Sequence, residues 1–258
     1  MQKYPERTKS AAVATTAANI PLPAPPTTTE TEFLRQQIAE LLVHTLDGPD
    51  REAALSRLLA NLLAVDPAAA AHIVAIQPAG PDRDELLRLL ARAWTATDFP
   101  GAIQWAATLS DPAERRRGFE FVCFKAAETQ PSDALDAWTS FQPAPDHAMF
   151  GNLVKEWAGR DVSGALAWAN SRSTTEARDY ALANVAFVVS QTDPYRAAEI
   201  ISTQTTTSAP HVEATVALIR TWASHDYPAA SASAWVATHL HGTLADRAQQ
   251  ELAAFKSQ

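Results

Sequence analysis

Apolar residues recur along this chain in adjacent pairs with a period of about 32 residues, and each pair precedes an acidic or amide residue at a fixed distance. We call the acidic or amide residues anchors; they are Asp66, Asp98, Gln130, Asp161, Asp193 and Asp226. The residues eight before the anchors are Leu58, Leu90, Val122, Leu153, Val185 and Leu218, and those seven before are Leu59, Ala91, Cys123, Val154, Ala186 and Ile219. Apolar spacings of three and four predict an amphipathic helix of roughly four turns, helix A, before every anchor.

Each anchor has the features of a helix start. In Asp66-Pro67 and Asp193-Pro194 the carboxylate can accept a bond from a free backbone N–H, and a proline at the first helical position loses no hydrogen bond. A second helix of about ten residues, helix B, is therefore predicted after each anchor. Alanine stands four residues after every anchor, at Ala70, Ala102, Ala134, Ala165, Ala197 and Ala230. We expect this small side chain to let two helices approach closely.

Arginine occupies one fixed position of the repeat in four units, near the predicted start of helix A, at Arg51, Arg83, Arg115 and Arg178. Helix B returns the chain to the end where the next helix A begins. The guanidinium group therefore either binds the carbonyl groups that close the preceding helix B, where a cation is favoured, or remains an exposed charge in a polar first turn. The sequence leaves both interpretations open.

A fixed period of about 20 to 50 residues is typical of stacked helical repeats. The sequence therefore predicts an all-α fold: a right-handed alpha-solenoid of about six antiparallel helix pairs, with capping helices at both ends. The first helix is expected over residues 29–46 and the closing one over 244–255. Residues 30–258 are expected to form one repeat domain. Residues 1–29 are rich in Ala, Thr and Pro and predict a disordered tail.

The pattern resembles the tetratricopeptide and HEAT-like superfamily of alpha-solenoids. More narrowly, it is similar to bacterial repeat proteins with units of the form Asp-Pro-x-x-Ala-x-x-Trp, here closest from Asp98 to Trp105 and from Asp161 to Trp168. The chain lacks the Trp-Leu-Gly-Tyr series and the period of about 34 residues of tetratricopeptide repeats, so the binding residues of that family do not carry over. The resemblance implies a scaffold for protein or peptide recognition without catalytic residues.

Composition and charge narrow the class of partner. Of the 258 residues, 47% are hydrophobic and 19% are charged, which is ordinary for a soluble globular protein. The net charge of −8 disfavours nucleic acid and anionic membrane surfaces, since contacts with phosphates need clustered Lys and Arg. No segment predicts insertion into a membrane. A cytoplasmic protein is the default expectation, and a periplasmic or envelope-tethered protein is the alternative if the Ala/Thr/Pro stretch is a tether left by a removed anchor.

The residues that could carry chemistry fit the repeat instead. Glycine-rich phosphate loops, Gly-x-Ser-x-Gly, His-Glu-x-x-His and paired Cys-x-x-Cys motifs are absent from the sequence. The single cysteine, Cys123, falls in an apolar column and is expected in the core. His239 and His241 are two residues apart on a helix and point to different sides, which disfavours a metal site. We expect no catalytic, cofactor-binding or metal-binding residue.

The seven tryptophans all keep the repeat register. Three lie four residues before an anchor and four lie seven to nine after one: Trp94, Trp157 and Trp222, then Trp105, Trp138, Trp168 and Trp235. Packing between helices is the first interpretation. The second is that one or two line a groove, in which case we expect the shorter helices B to supply them from the inner, concave side.

The leading functional hypothesis is a non-catalytic scaffold that binds a protein or peptide on a concave face. Its candidate partner-binding residues are the polar helix B positions Gln104, Asp136 and Glu199. One alternative is a cell-envelope or glycan-binding protein that uses exposed helix B tryptophans. Another is an alpha/alpha-toroid enzyme, which needs convergent carboxylates that the repeat does not supply.

Overall fold

The computed structural model of the protein describes residues 28–44, 48–141, 147–205, 208–224 and 229–256. These residues form fourteen α-helices and no β-strand, which confirms the prediction of an all-α fold for this part of the chain. The predicted tail lies outside the described residues, apart from Thr28 and Thr29, which begin the first helix. The helices are α1 (Thr28–His44), α2 (Pro49–Val65), α3 (Pro67–Ile76), α4 (Pro81–Thr97), α5 (Phe99–Thr108), α6 (Pro112–Ala127), α7 (Pro131–Phe141), α8 (His147–Arg160), α9 (Val162–Asn170), α10 (Thr175–Val189), α11 (Pro194–Ser202), α12 (Ala209–Ser224), α13 (Ala229–His239) and α14 (Gly242–Lys256).

Helices A and B of the sequence pattern alternate along the chain. The even-numbered helices α2 to α12 are helices A and the odd-numbered helices α3 to α13 are helices B, so that α2 with α3 is unit 1 and α12 with α13 is unit 6. All twelve residues of the two apolar columns, eight and seven before the anchors, are buried. The hydrophobic register read from the sequence is therefore the register of the core.

Four anchors cap helix B as predicted. Each carboxylate accepts a hydrogen bond from the backbone N–H three residues later: Ala69 to Asp66 (2.9 Å), Gly101 to Asp98 (3.0 Å), Gly164 to Asp161 (2.9 Å) and Arg196 to Asp193 (3.0 Å). The third anchor along the chain, Gln130, precedes α7, and its backbone carbonyl accepts from the Ala134 N–H at 3.1 Å. Asp226 lies outside the described residues.

The alanine column is correct in five units and wrong in the sixth. Ala70, Ala102, Ala134, Ala165 and Ala197 are fully buried. Ala230, the predicted sixth member, is exposed, and Ala232 is fully buried instead. Ala232 precedes Trp235 by three residues, as Ala102 precedes Trp105. The step from Ala197 to Ala232 is three residues longer than the step from Ala165 to Ala197, so packing selects a later alanine than the anchor indicates.

Arg83 and Arg115 bind carbonyl groups at the end of the preceding helix B. Arg83 donates to the carbonyls of Ala75 and Gln77 at 3.0 and 2.7 Å, and Arg115 donates to those of Leu109 and Ser110 at 2.8 and 3.1 Å. The other two arginines of this position form ion pairs. Arg51 pairs with Asp82 (2.5 Å) and Arg178 with Asp179 (3.0 Å).

The tryptophans pack in pairs within alternate units. In units 2, 4 and 6 a helix A indole lies against a helix B indole. The ring centroids are 5.6 Å apart for Trp94 and Trp105, 6.1 Å for Trp157 and Trp168, and 5.8 Å for Trp222 and Trp235. Trp138 is buried in unit 3. Interhelical packing is therefore the main role of the tryptophan set, with Trp94 and Trp235 only partly buried.

The two sets of helices pack differently. Successive helices A contact each other extensively from α2 to α6 and from α8 to α14, with a looser contact between α6 and α8. Each helix B packs instead against the helix A before it and the helix A after it. Helices A therefore form the extensively packed set, and neighbouring helices B are joined mainly through them.

One ion pair joins two helices A that are not consecutive. Lys155 of α8 reaches Glu213 of α12, with 3.2 Å between Nζ and Oε2, although α10 lies between them. The Lys155 ammonium also lies 4.3 Å from the centroid of the Phe187 ring of α10. The long Lys155 side chain therefore extends across α10 to reach α12. Residues 179–186 of α10 are all buried.

Candidate functional site

Furrows lie between consecutive helices B because these helices do not pack extensively against one another. The furrow between α11 and α13 has a volume of about 630 Å³. We call it the aromatic furrow and define it by Tyr195, Glu199, Trp222, Trp235 and His239, which all line it. Trp222 comes from α12, the helix A that lies between the two helices B. The furrow thus combines four ring systems with one carboxylate.

The rings of the aromatic furrow contact one another in sequence. Tyr195, which is 48% exposed, meets Trp222 edge to face with 5.6 Å between ring centroids. Trp222 meets Trp235 at 5.8 Å, and Trp235 stacks on His239 at 5.5 Å with 19° between the planes. The Trp235 Nε1–H donates to Ser202 Oγ at 3.2 Å. These contacts fix the aromatic walls.

One polar group in the furrow has no partner. The indole Nε1–H of Trp222 is buried and has no hydrogen-bond acceptor within the described part of the chain. A buried donor without an acceptor costs free energy. Glu199 is exposed and forms no ion pair with any described residue. The furrow therefore offers a negative charge at its surface.

A second furrow, between α7 and α9, contains the same residue types in a closed arrangement. We call it the closed furrow and define it by Asp136, Trp168 and Arg172. The Arg172 guanidinium carbon lies 4.1 Å from the centroid of the Trp168 ring, and Arg172 Nη1 is 2.7 Å from Asp136 Oδ1. The Trp168 Nε1–H donates to the same carboxylate oxygen at 3.2 Å. Carboxylate, indole and guanidinium satisfy one another.

The two furrows correspond residue by residue in the repeat. Asp136 and Glu199 each stand two residues after a buried alanine of the first helix, Ala134 and Ala197. Trp168 and Trp235 each stand three residues after a buried alanine of the second helix. Arg172 and His239 each follow the tryptophan by four residues, which is one helical turn. The aromatic furrow therefore has histidine where the closed furrow has its own guanidinium.

The three candidate binding residues from the sequence are all exposed, and each lies two residues after a buried alanine. Glu199 lines the aromatic furrow, whereas Asp136 is engaged by Trp168 and Arg172. Gln104 is exposed on α5 and belongs to neither set. Sequence reasoning did not single out Arg172 or His239 as furrow residues. The signal that could have found them is an arginine or histidine one turn after a helix B tryptophan.

Three other features bear on function: the cysteine, possible metal ligands and possible membrane-spanning helices. Cys123 is fully buried, and this burial raises the pKa of its thiol to about 12. Among the described residues, no group of three or more His, Cys, Asp or Glu side chains is placed to hold a metal ion. None of the described helices combines the length and apolarity needed to cross a bilayer.

Comparison of this chain with family models, curated proteins and solved structures returned no match. Its function is therefore best approached through the aromatic furrow and the residues that line it.

Proposed function

We propose that the protein is a non-catalytic scaffold that binds an extended segment of another protein or peptide. In this proposal the six A and B units form a right-handed alpha-solenoid of antiparallel helix pairs, with α1 and α14 as capping helices. The contacts of every helix A with the next helix A support a continuous stack, since repeat proteins are held by interfaces between neighbouring units.

The observation that carries the proposal is the aromatic furrow. Binding hot spots are enriched in Trp, Tyr and Arg and lie in well-packed pockets, with polar groups that fix orientation. Trp222 and Trp235 are held in place by ring contacts, and Tyr195 is exposed beside them, so the furrow offers preorganised apolar walls. Preorganised aromatic walls lower the entropic cost of binding. We assign the binding surface to the furrows between helices B.

Charge favours a neutral or basic polypeptide as the partner. The chain has a net charge of −8, and the furrow contributes the exposed carboxylate of Glu199. The capping carboxylates of Asp98, Asp161 and Asp193 are also exposed, at the starts of helices B. Long-range attraction steers a basic segment to such a surface, while buried apolar contacts hold it. Binding should weaken as salt rises but persist.

The test is a comparison of captured partners between the wild-type chain and matched variants. The furrow variant carries Tyr195→Ala and Glu199→Gln. The control, Glu156→Gln, removes an exposed carboxylate from helix A of unit 4. Proteins retained from a native cell extract by the wild-type chain and the control, but lost with the furrow variant, support the proposal.

Purified partners from that comparison should then bind with affinities that fall, but do not vanish, as salt is raised. Retention of every partner by the furrow variant would contradict the assignment of the binding surface. Turnover of a substrate by the purified chain would contradict the non-catalytic role. Retention on immobilised oligosaccharide, lost in the furrow variant, would favour glycan binding instead.

A further inference from the structure

The closed furrow shows what kind of group fits between two helices B of this chain. There, the guanidinium of Arg172 covers the Trp168 ring at 4.1 Å and bonds the Asp136 carboxylate at 2.7 Å. Guanidinium is planar, stacks on aromatic faces and pairs with carboxylates. A carboxylate on one helix and an indole on the next therefore form a fitting site for this group.

The aromatic furrow has the carboxylate and the indole but not the guanidinium. Glu199 and Trp235 occupy the positions of Asp136 and Trp168 in the repeat, and both line the open furrow. His239 stands in the position of Arg172, but its ring stacks on Trp235 and its Nδ1 lies 3.1 Å from the Trp235 carbonyl oxygen. The imidazole is thus held on its own helix, while Glu199 has no ion pair among the described residues.

We propose that the aromatic furrow is a socket for an arginine side chain of the bound polypeptide. The incoming guanidinium pairs with Glu199 and lies in the furrow against the Tyr195 ring and beside Trp235, on which His239 is already stacked. It supplies the positive charge that Arg172 supplies in the closed furrow. This inference rests on the proposed scaffold function and names the residue that the scaffold selects.

The direct test uses a small probe and the indole N–H signals of the full chain in nitrogen-15 NMR spectra. The probe is N-acetyl-arginine N-methylamide, and its control is the citrulline analogue, which has nearly the same shape and no charge. We expect the arginine probe to shift the Trp235 and Trp222 signals saturably, and the citrulline analogue to bind about ten-fold more weakly. Glu199→Gln should weaken the arginine probe by a similar factor, and Glu156→Gln should leave it unchanged.

Two substitutions exchange the chemistry of the furrows. His239→Arg places a guanidinium where Arg172 stands in the closed furrow, so we expect it to fill the socket from within and weaken the probe about ten-fold or more. Arg172→His removes the internal guanidinium, so the probe should now also shift the Trp168 signal. Unchanged circular dichroism spectra and melting temperatures of the His239→Arg chain would show that its loss of binding is not loss of folding.

Several results would overturn the socket. They are equal binding of the arginine and citrulline probes, unchanged binding in Glu199→Gln, or Trp235 shifts caused by an N-acetylglucosamine tetramer but not by the arginine probe. The experiments distinguish failure of the scaffold function from failure of the arginine socket. A captured protein partner that is lost with Tyr195→Ala but unaffected by Glu199→Gln and His239→Arg keeps the scaffold function and excludes the arginine socket.

Discussion

Arg83 and Glu114 form a two-bonded ion pair between consecutive helices A, with Nε to Oε1 at 2.6 Å and Nη2 to Oε2 at 2.8 Å. The hydrogen bond to Glu114 is the main reason that the pKa of Arg83 lies above its usual value. The same guanidinium donates to the carbonyls of Ala75 and Gln77 near the end of α3. One side chain therefore connects α3, α4 and α6.

We expect Glu114→Gln to lower the free energy of unfolding by about 1 to 3 kcal/mol, because a largely buried guanidinium loses its charged partner. Urea denaturation followed by circular dichroism measures the change. The control is Glu120→Gln, which removes an exposed pair with Arg116 one helical turn away and should cost less than about 0.5 kcal/mol. Equal losses in the two variants would show that the Arg83 pair does not connect the layers.

The displaced alanine of unit 6 gives a second prediction. Ala232 is fully buried, so Ala232→Leu should overpack the contact of α13 and lower stability by about 1 to 3 kcal/mol, as Ala165→Leu should in unit 4. Ala230→Leu is the matched control, because Ala230 is exposed on the same helix and should tolerate the larger side chain. Thermal denaturation of the three variants distinguishes the two registers. A larger fall in melting temperature for Ala230→Leu than for Ala232→Leu would mean that Ala230, as first predicted, is the alanine at the helix contact.

The tryptophan of helix A and a glycine of helix B are coupled in units 2 and 4. A Cβ added at Gly101 would overlap Asp98 Oδ2 and come within 2.9 Å of Trp94 Nε1. A Cβ added at Gly164 would overlap Asp161 Oδ2 and come within 3.2 Å of a Trp157 ring carbon. Unit 1 has leucine and alanine in these two positions, Leu62 and Ala69, and keeps its capping bond. Glycine therefore makes room for the indole.

We expect Gly101→Ala to destabilise the wild-type chain even though alanine is the better helix former by about 1 kcal/mol. With Trp94→Leu in the same chain, the alanine should become neutral or stabilising, since this pair reproduces unit 1. The double-mutant cycle, measured by urea denaturation, should give a coupling free energy of about 1 kcal/mol or more. Additive effects of the two substitutions would mean that the indole and the glycine are independent.

The stabilising effect of the ion pair between α12 and the last helix, α14, should depend on pH. Arg220 of α12 binds Glu251 of α14 at 3.0 and 3.1 Å, and this hydrogen bond is the main cause that lowers the pKa of Glu251 from 4.5. A carboxyl group with a lowered pKa in the folded state stabilises the fold above the unfolded pKa and loses this effect as pH falls through the folded value.

The melting temperature of the wild-type chain should therefore exceed that of Glu251→Gln by a constant amount at neutral pH. The difference should shrink once pH falls below 4.5. Melting curves measured across this range test the pair, and added salt should reduce the difference because Arg220 is mostly exposed. A difference that grows in acid would exclude a stabilising role for the ionised carboxylate.

The core was predictable because its signals are local. The apolar columns, including Leu58 and Cys123, and the capping carboxylates such as Asp161 follow from helix spacing and helix-start chemistry within one unit. Ala232 was missed because an anchor indicates where a helix can start, whereas packing against neighbouring helices decides which alanine is buried. The uncharged run 180–189 indicates that α10 is buried on more than one side. Only the structure shows that α8 and α12 are the helices that cover it.

The candidate site was less predictable because it depends on distances between units. Asp136 and Arg172 belong to different units, and only the spacing of α7 and α9 brings them together. How closely successive helices A pack is also decided between units, and the apolar pattern does not encode it. Glu199 was proposed from its helix B position, whereas the distinction between an open and a closed furrow required the contacts of Arg172 and His239.

Because the tryptophan pairs occur in alternate units, the pattern of this chain repeats every two units. The paired helix A indoles, Trp94, Trp157 and Trp222, occur in every second unit, and the units between them have small or aliphatic residues at that position, Ala126 and Val189. Neighbouring units are therefore unlike, and each interface joins one kind to the other. A shortened or lengthened version of the protein that keeps only existing interfaces must gain or lose two units at once, so the protein should be engineered in steps of two helix pairs.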